Sequence, residues 1–194
     1  MKKILVIAAL TMFSFANAQK GSILVMGSID YNSQKTEYNP GDSKQDYISF
    51  SPKVGYQFHE NWTAGIEGGI SSLKYKNNDF LQQKTNTFSV GGFIRYTKTL
   101  NQTFSFYTDL GLGFQNQKNE SDLQTGGRFK ETADGFYTGI TPGIFINVHK
   151  GFGLNFNIGG LRYGTLNFDD HVGDLKTFNF TLGKAFSVGV SKNF

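Results

Sequence analysis

Four charged residues are spaced as if to meet in pairs. In the stretch "SPKVGYQFHENWTAGIEGGI" (residues 51–70), Lys53 and Glu67 stand seven residues either side of Glu60. Folding two extended segments back on each other at "HEN" therefore sets the two side chains directly opposite. Arg95 and Asp109 share that same face on the next fold-back, around "KTLNQ". Opposite charges in a narrow interior can neutralise one another and fill it, or gate it if the pairs can switch. A static polar filling is the expectation, with Gly55 and Gly65 leaving room for the Lys53–Glu67 pair.

Other chemistry is sparse. His59 and His149 fall in short turns, and His171 lies beside Asp169, Asp170 and Asp174 in "DDHVGD". Oxygen ligands of that kind could hold a divalent cation, but the spacing of a calcium-binding loop is missing. No serine is tied by any motif to His171, so nothing assembles a hydrolase or acyltransferase site. The glycines of "GGISS" and "GLGFQNQ" precede no helix and are not phosphate loops. The expectation is a protein without catalysis, metal or cofactor.

The elements that must position these charges are strands. Val54, Tyr56 and Phe58 alternate with Lys53, Gly55 and Gln57, and Trp62, Ala64 and Ile66 alternate with Thr63, Gly65 and Glu67. A period of two marks extended chain with two distinct faces. Alternation and turn residues place eight strands near 21–32, 46–58, 62–74, 85–97, 103–116, 131–148, 152–165 and 175–193. Short connections after the even strands alternate with long polar ones after the odd strands, which fits a chain that starts and ends on one side of a membrane. The bulky sets are Ile48, Phe50, Val54, Tyr56 and Phe58, then Phe104, Phe106, Leu110, Leu112 and Phe114, then Phe178, Phe180, Leu182, Phe186, Val188 and Val190. The opposite faces are small and polar apart from isolated charges. Because the interior of an eight-stranded barrel is only just wide enough for side chains, the small polar set fits the lumen and the aromatic set fits lipid. Pro52 and Pro142 inside strands suggest bulges or edges, the pair Gly159-Gly160 marks a slip of phase, and Lys184 falls near the outer headgroups.

Composition agrees. The chain holds 20 Phe, 9 Tyr and 24 Gly against 3 Pro, as a sheet protein does. It opens "MKKILVIAALTMFSFANAQ", with two lysines, an apolar run and Ala16-Asn17-Ala18, which reads as a signal peptide over residues 1–18 ahead of one domain over 19–194. No cysteine is present, so stability has to come from pairing and packing. Without Lys2 and Lys3 the balance is 17 basic to 15 acidic residues, which gives nucleic-acid binding no support.

The segments "ISFSPKVGYQFHENWTAGIEGGI", "FSVGGFIRYTKTLNQTFSFYTDLGLGF", "TPGIFINVHKGFGLNFNIGGLRY" and the closing "FSVGVSKNF" resemble the outer-membrane β-barrel domain family of Gram-negative bacteria, of OmpA/OmpX type. The resemblance implies an all-β, eight-stranded antiparallel up-and-down transmembrane β-barrel in the outer membrane, and no single activity. Terminal Phe194, with Val190, Val188 and Phe186 at alternate positions, is similar to the signal read by the barrel-assembly machinery; Lys192 departs from it. Implied partners are that machinery, outer-membrane lipid and lipopolysaccharide, with an external ligand on the long loops, and the chain is expected to be a monomer. The leading reading is a barrel with a filled lumen, acting in surface interaction or envelope integrity. The alternatives are a narrow pore for small solutes and a soluble lipocalin-like barrel that holds an apolar ligand.

Overall fold

The computed structural model describes residues 21–38, 41–77, 81–123, 127–149, 152–169 and 173–193. The expected signal peptide lies outside them. The strands are β1 (Ile23–Tyr38), β2 (Gly41–His59), β3 (Trp62–Asn77), β4 (Leu81–Thr99), β5 (Phe104–Leu123), β6 (Arg128–His149), β7 (Phe152–Phe168) and β8 (Asp174–Asn193). Each pairs antiparallel with the next, and β8 returns to β1 through Leu24↔Asn193 to Ser28↔Gly189, so the sheet closes. Pairing of β8 with β1 closes the sheet into a ring, the arrangement in which strands can cross a bilayer.

The bulky alternate residues point outward. Ile29, Ile48, Ile66 and Leu112 are all exposed on the outer wall, while the positions either side of each are buried or half-buried. An apolar-out, polar-in wall is the inverse of a soluble barrel, and it overturns the lipocalin-like alternative, whose apolar set would line the interior. The lumen is less uniformly small than the sequence suggested, however. Phe93, Tyr107 and Tyr137 are buried inside with Leu24 and Met26. An interior of this width needs several large side chains to fill it.

Strand ends differ most from expectation. The connections after odd strands, read as long polar loops, are mostly paired strand: β1 pairs with β2 up to Tyr38↔Gly41, and β5 pairs with β6 up to Asp122↔Arg128. Once the apolar part sets the register, backbone hydrogen bonds propagate it through residues whose two faces are both polar, so no alternation betrays them.

The irregular positions divide. At Pro52 the β2–β3 register is unchanged on either side, from Phe50↔Ile70 to Lys53↔Glu67, so no bulge forms there. Pro142 lies where the β6–β7 register shifts between Ile140 and Gly143. The expected slip in β7 falls between Asn157 and Gly159, and Gly159 has φ +113°, a left-handed conformation that favours glycine. The side chain of Lys184 is outside the described part.

Candidate functional site

The four charges occupy the middle of the lumen. Register sets Lys53 against Glu67 and Arg95 against Asp109. Lys53 Nζ lies 2.8 Å from Glu67 Oε2, and the Arg95 guanidinium grips the Asp109 carboxylate with Nε at 2.6 Å and Nη2 at 2.9 Å. The two pairs are joined, because Lys53 Nζ also donates to Asp109 Oδ2 at 2.9 Å. Counting turns does not reveal this contact, since β2 and β5 are three strands apart. Strand tilt explains it. A row of paired residues crossing three strand spacings at about 40° changes height by roughly 9 Å, close to the roughly 10 Å that four residues add along a tilted strand. Asp109 stands four residues below Gly113, the β5 residue in Lys53's own row, so the tilt brings it level.

Aromatic residues complete the layer. Tyr137 donates to Glu67 Oε1 at 2.9 Å. It reaches across β4 and β5 because its row reads Glu67, Gly91, Gly113, Tyr137. A Cβ at Gly91 would stand 2.5 Å from the Tyr137 hydroxyl, and one at Gly113 2.8 Å from its ring. Lys53 Nζ lies 5.0 Å from the Phe93 ring centre, and the Arg95 guanidinium carbon 3.9 Å from that of Tyr107, so both cations are covered by π faces. The Tyr107 hydroxyl donates to Asn157 at 2.6 Å. Gly55 makes room for Phe93, whose ring a Cβ would meet at 2.9 Å, and Gly65 for the close backbone of Val54 and Gly55. Contrary to expectation, neither clears space for the ion pair. The expectation for Gly55 and Gly65 looked only along β2 and β3, whereas Phe93 enters from β4.

The layer divides the lumen. A cavity of about 250 Å³ lies on one side, bounded by Ser28, Asp30, Ser51, Ser89, Arg162 and the tops of Lys53, Glu67 and Asp109. A smaller one of about 150 Å³ lies on the short-turn side, bounded by Gln57, Glu60, Thr97, Thr99, Arg95 and Tyr107. They share no lining residue, and the Arg95–Asp109 contact stands between them. Tyr107 was expected on the lumen face of its strand, but Tyr137, Phe93 and Arg162 were not singled out from sequence; parity on β4 and β6, and on β7 beyond its slip, was the available signal.

Outside the membrane-spanning part, carboxylates pair with lysines on the polar hairpins. The Ser33 hydroxyl and then Lys44 hold the Asp46 carboxyl below the usual carboxylate range. At Glu120, partial burial pushes the carboxyl up, and Lys130, Lys118 and Arg128 outweigh that and bring it down. Of the "DDHVGD" residues, Asp170 and His171 are outside the described part; among the described residues no group of three His, Asp or Glu is placed to hold a metal. Of the terminal set, Val190 is half exposed on the outer wall, while the side chains of Phe186 and Val188 and all of Phe194 are outside the described part.

The chain matches the family model "Outer membrane protein beta-barrel domain" over residues 5–193. No curated protein sequence matches it. Among solved structures it is similar to Ail, the attachment invasion locus protein of Yersinia pestis, at 15% identity and TM-score 0.51 over 91% of this chain and 100% of that one. It is similar to a major outer membrane protein from Thermus thermophilus, at 9% identity and TM-score 0.52 over 90% and 99%. The N-terminal β-barrel domain of Pseudomonas aeruginosa OprF matches at 14% identity and TM-score 0.41 over 91% and 98%. At these identities the structural likeness speaks for the fold, and the family match supplies the rest: the chain belongs to the outer membrane β-barrel domain family of Gram-negative bacteria, and its place is the outer membrane.

Proposed function

We propose that this protein is a non-enzymatic envelope component, an occluded barrel that carries rigid polar hairpins at the cell surface for adhesion, surface interaction or envelope integrity. The observation that carries the reading is the Lys53–Asp109–Arg95 layer between the two lumen cavities. Bidentate Arg–carboxylate pairing in a low-dielectric interior resists rearrangement, and a lumen crossed by it passes neither ions nor solutes. Residues 1–18 act as the signal peptide, and Phe186, Val188, Val190 and Phe194 serve the assembly machinery.

Planar bilayers test the reading. Folded protein, checked by its heat-dependent gel mobility, gives no steady conductance. A sustained open channel from the unaltered chain overturns it. The narrow-pore reading has one observation in its favour, the cavities waiting on either side of the layer. A charge-neutral Arg95→Ala/Asp109→Ala variant joins them and conducts, if the layer is what blocks the lumen.

A further inference from the structure

On the hairpin side of the ion-pair layer the bore is left unfilled. Interiors of this width are only just wide enough for side chains, yet Gly69, Gly111 and Gly139 take lumen-facing positions of β3, β5 and β6, and Ser28, Ser51 and Ser89 add short hydroxyls. A cavity of about 250 Å³ remains, several times the roughly 30 Å³ share of one water molecule. At the layer itself the opposite choice is made, with Phe93, Tyr107 and Tyr137 packed across the bore.

Two further charges face this cavity and do not meet. Asp30 is on β1 and Arg162 on β7, the strands that flank β8. Asp30 accepts from Ser49 at 2.9 Å, and Arg162 lies over Tyr137, its guanidinium carbon 5.1 Å from the ring centre. Among the described residues neither reaches an opposite charge. The layer beneath has none to spare, since Lys53 and Arg95 balance Glu67 and Asp109. No neighbour in its row covers Arg162, because that row reads Gly111, Gly139, Arg162. The wall between the two charges is also loosely tied. Among the described residues β1 and β8 pair from Leu24↔Asn193 to Ser28↔Gly189 and no further, whereas β7 and β8 stay paired up to Asn167↔Asp174.

A cavity with low-dielectric walls and one free charge of each sign focuses a field that favours a dipolar guest. The guanidinium fork of Arg162 matches a carboxylate. Asp30 and the hydroxyls around it accept from a primary ammonium, whose three N–H groups each need a partner. A lone anion or a lone cation would satisfy one of the two groups and face the like charge of the other. We propose that this cavity binds a small zwitterion of the free α-amino acid type, its carboxylate on Arg162 and its ammonium on Asp30. The guest enters from the hairpin end, because the layer forms the floor, and it joins β1 to β7 across the stretch where β8 is not paired with β1. Binding of a solute goes beyond the envelope role proposed above.

The test dialyses the folded chain, in a non-ionic detergent that offers no competing zwitterion, against a mixture of the common protein amino acids and counts what is retained by mass spectrometry. The unaltered chain retains at least one of them. The amide and the N-acetyl derivative of that amino acid, each lacking one of the two backbone charges, bind roughly tenfold to a hundredfold more weakly. Asp30→Asn and Arg162→Gln weaken retention by a similar factor, while Lys98→Gln, which removes an exposed charge outside the cavity, leaves it unchanged. The retained amino acid also raises the urea midpoint of the unaltered chain, as a ligand of the folded state does, and not that of the two cavity variants. Heat-dependent gel mobility confirms that each variant is folded, and the comparison of derivatives on the unaltered chain decides the matter if one is not. Retention of no amino acid leaves the cavity to water and overturns the site. Equal binding of either derivative, or retention indifferent to both cavity substitutions, overturns it as well. None of these readouts involves conductance, so failure here and failure of the occluded-lumen reading are separately visible.

Discussion

Asp109 is the residue on which the lumen layer turns. It accepts from both nitrogens of Arg95 and from Lys53, and its side chain is 3% exposed against 12% for Glu67. Replacing Asp109 by Ala strands the buried Arg95 guanidinium and leaves Lys53 with Glu67 alone, and breaking a buried pair in this way costs about 3 to 5 kcal/mol. Viewed within one hairpin, Glu67 would carry the same penalty. Its loss is milder because Lys53 keeps Asp109 at 2.9 Å and Tyr137 can still donate to an amide oxygen, so Glu67→Gln costs about 1 to 2 kcal/mol. Urea unfolding in detergent micelles, followed by the fluorescence of the single tryptophan, Trp62, ranks the two variants. Equal costs would show that Lys53 depends on Glu67 alone. The pairs within each hairpin were legible in sequence because a turn fixes its partners by counting. The Lys53–Asp109 bridge and the reach of Tyr137 were not, since both depend on strand tilt and on rows that run through several strands.

At the scale of the strand, the apolar stretches were legible and the polar ends were not. Phe104 to Phe114 alternate with small and polar residues because one side meets lipid, whereas Asn116 to Leu123 have water or headgroups on both sides and carry no apolar period. Gly159-Gly160 was legible for a different reason, since two glycines in a strand answer a backbone need. At Gly159 that need is double: φ is +113°, and an added Cβ would run into the Thr181 carbonyl of β8. Gly173 also has positive φ, +132°, with nothing within 4 Å of an added Cβ. Gly173→Ala therefore carries backbone strain alone, about 1 to 3 kcal/mol at most, and Gly159→Ala carries that strain plus displacement of β8. Unfolding midpoints of the two variants separate the contributions. If Gly173→Ala is the costlier, the β7 bulge is not set by the β8 backbone.

For the whole molecule, the outward apolar positions set both thickness and sidedness. From Phe104 to Phe114 the belt spans ten residues on β5, roughly 25 Å along the membrane normal, which is the apolar height of an outer-membrane barrel. At the short-turn end it finishes in Tyr56, Trp62 and Tyr96, with the last two rings 5.1 Å apart, as aromatic residues do at a membrane interface. The connections at residues 60–61 and 100–103 follow directly below, whereas β5 continues nine residues beyond Phe114 at the other end. The first residue of β1 and the last of β8 lie at the short-turn end. A chain delivered from the periplasm keeps that end behind and sends the polar hairpins through. Glu37 and Leu100 are both well exposed, one at each end, and they make the matched pair of probes. With a membrane-impermeant maleimide on intact cells, Glu37→Cys is labelled and Leu100→Cys is not; after lysis both are. The reverse pattern would turn the barrel over and put the polar hairpins in the periplasm, against the delivery of the chain from that side.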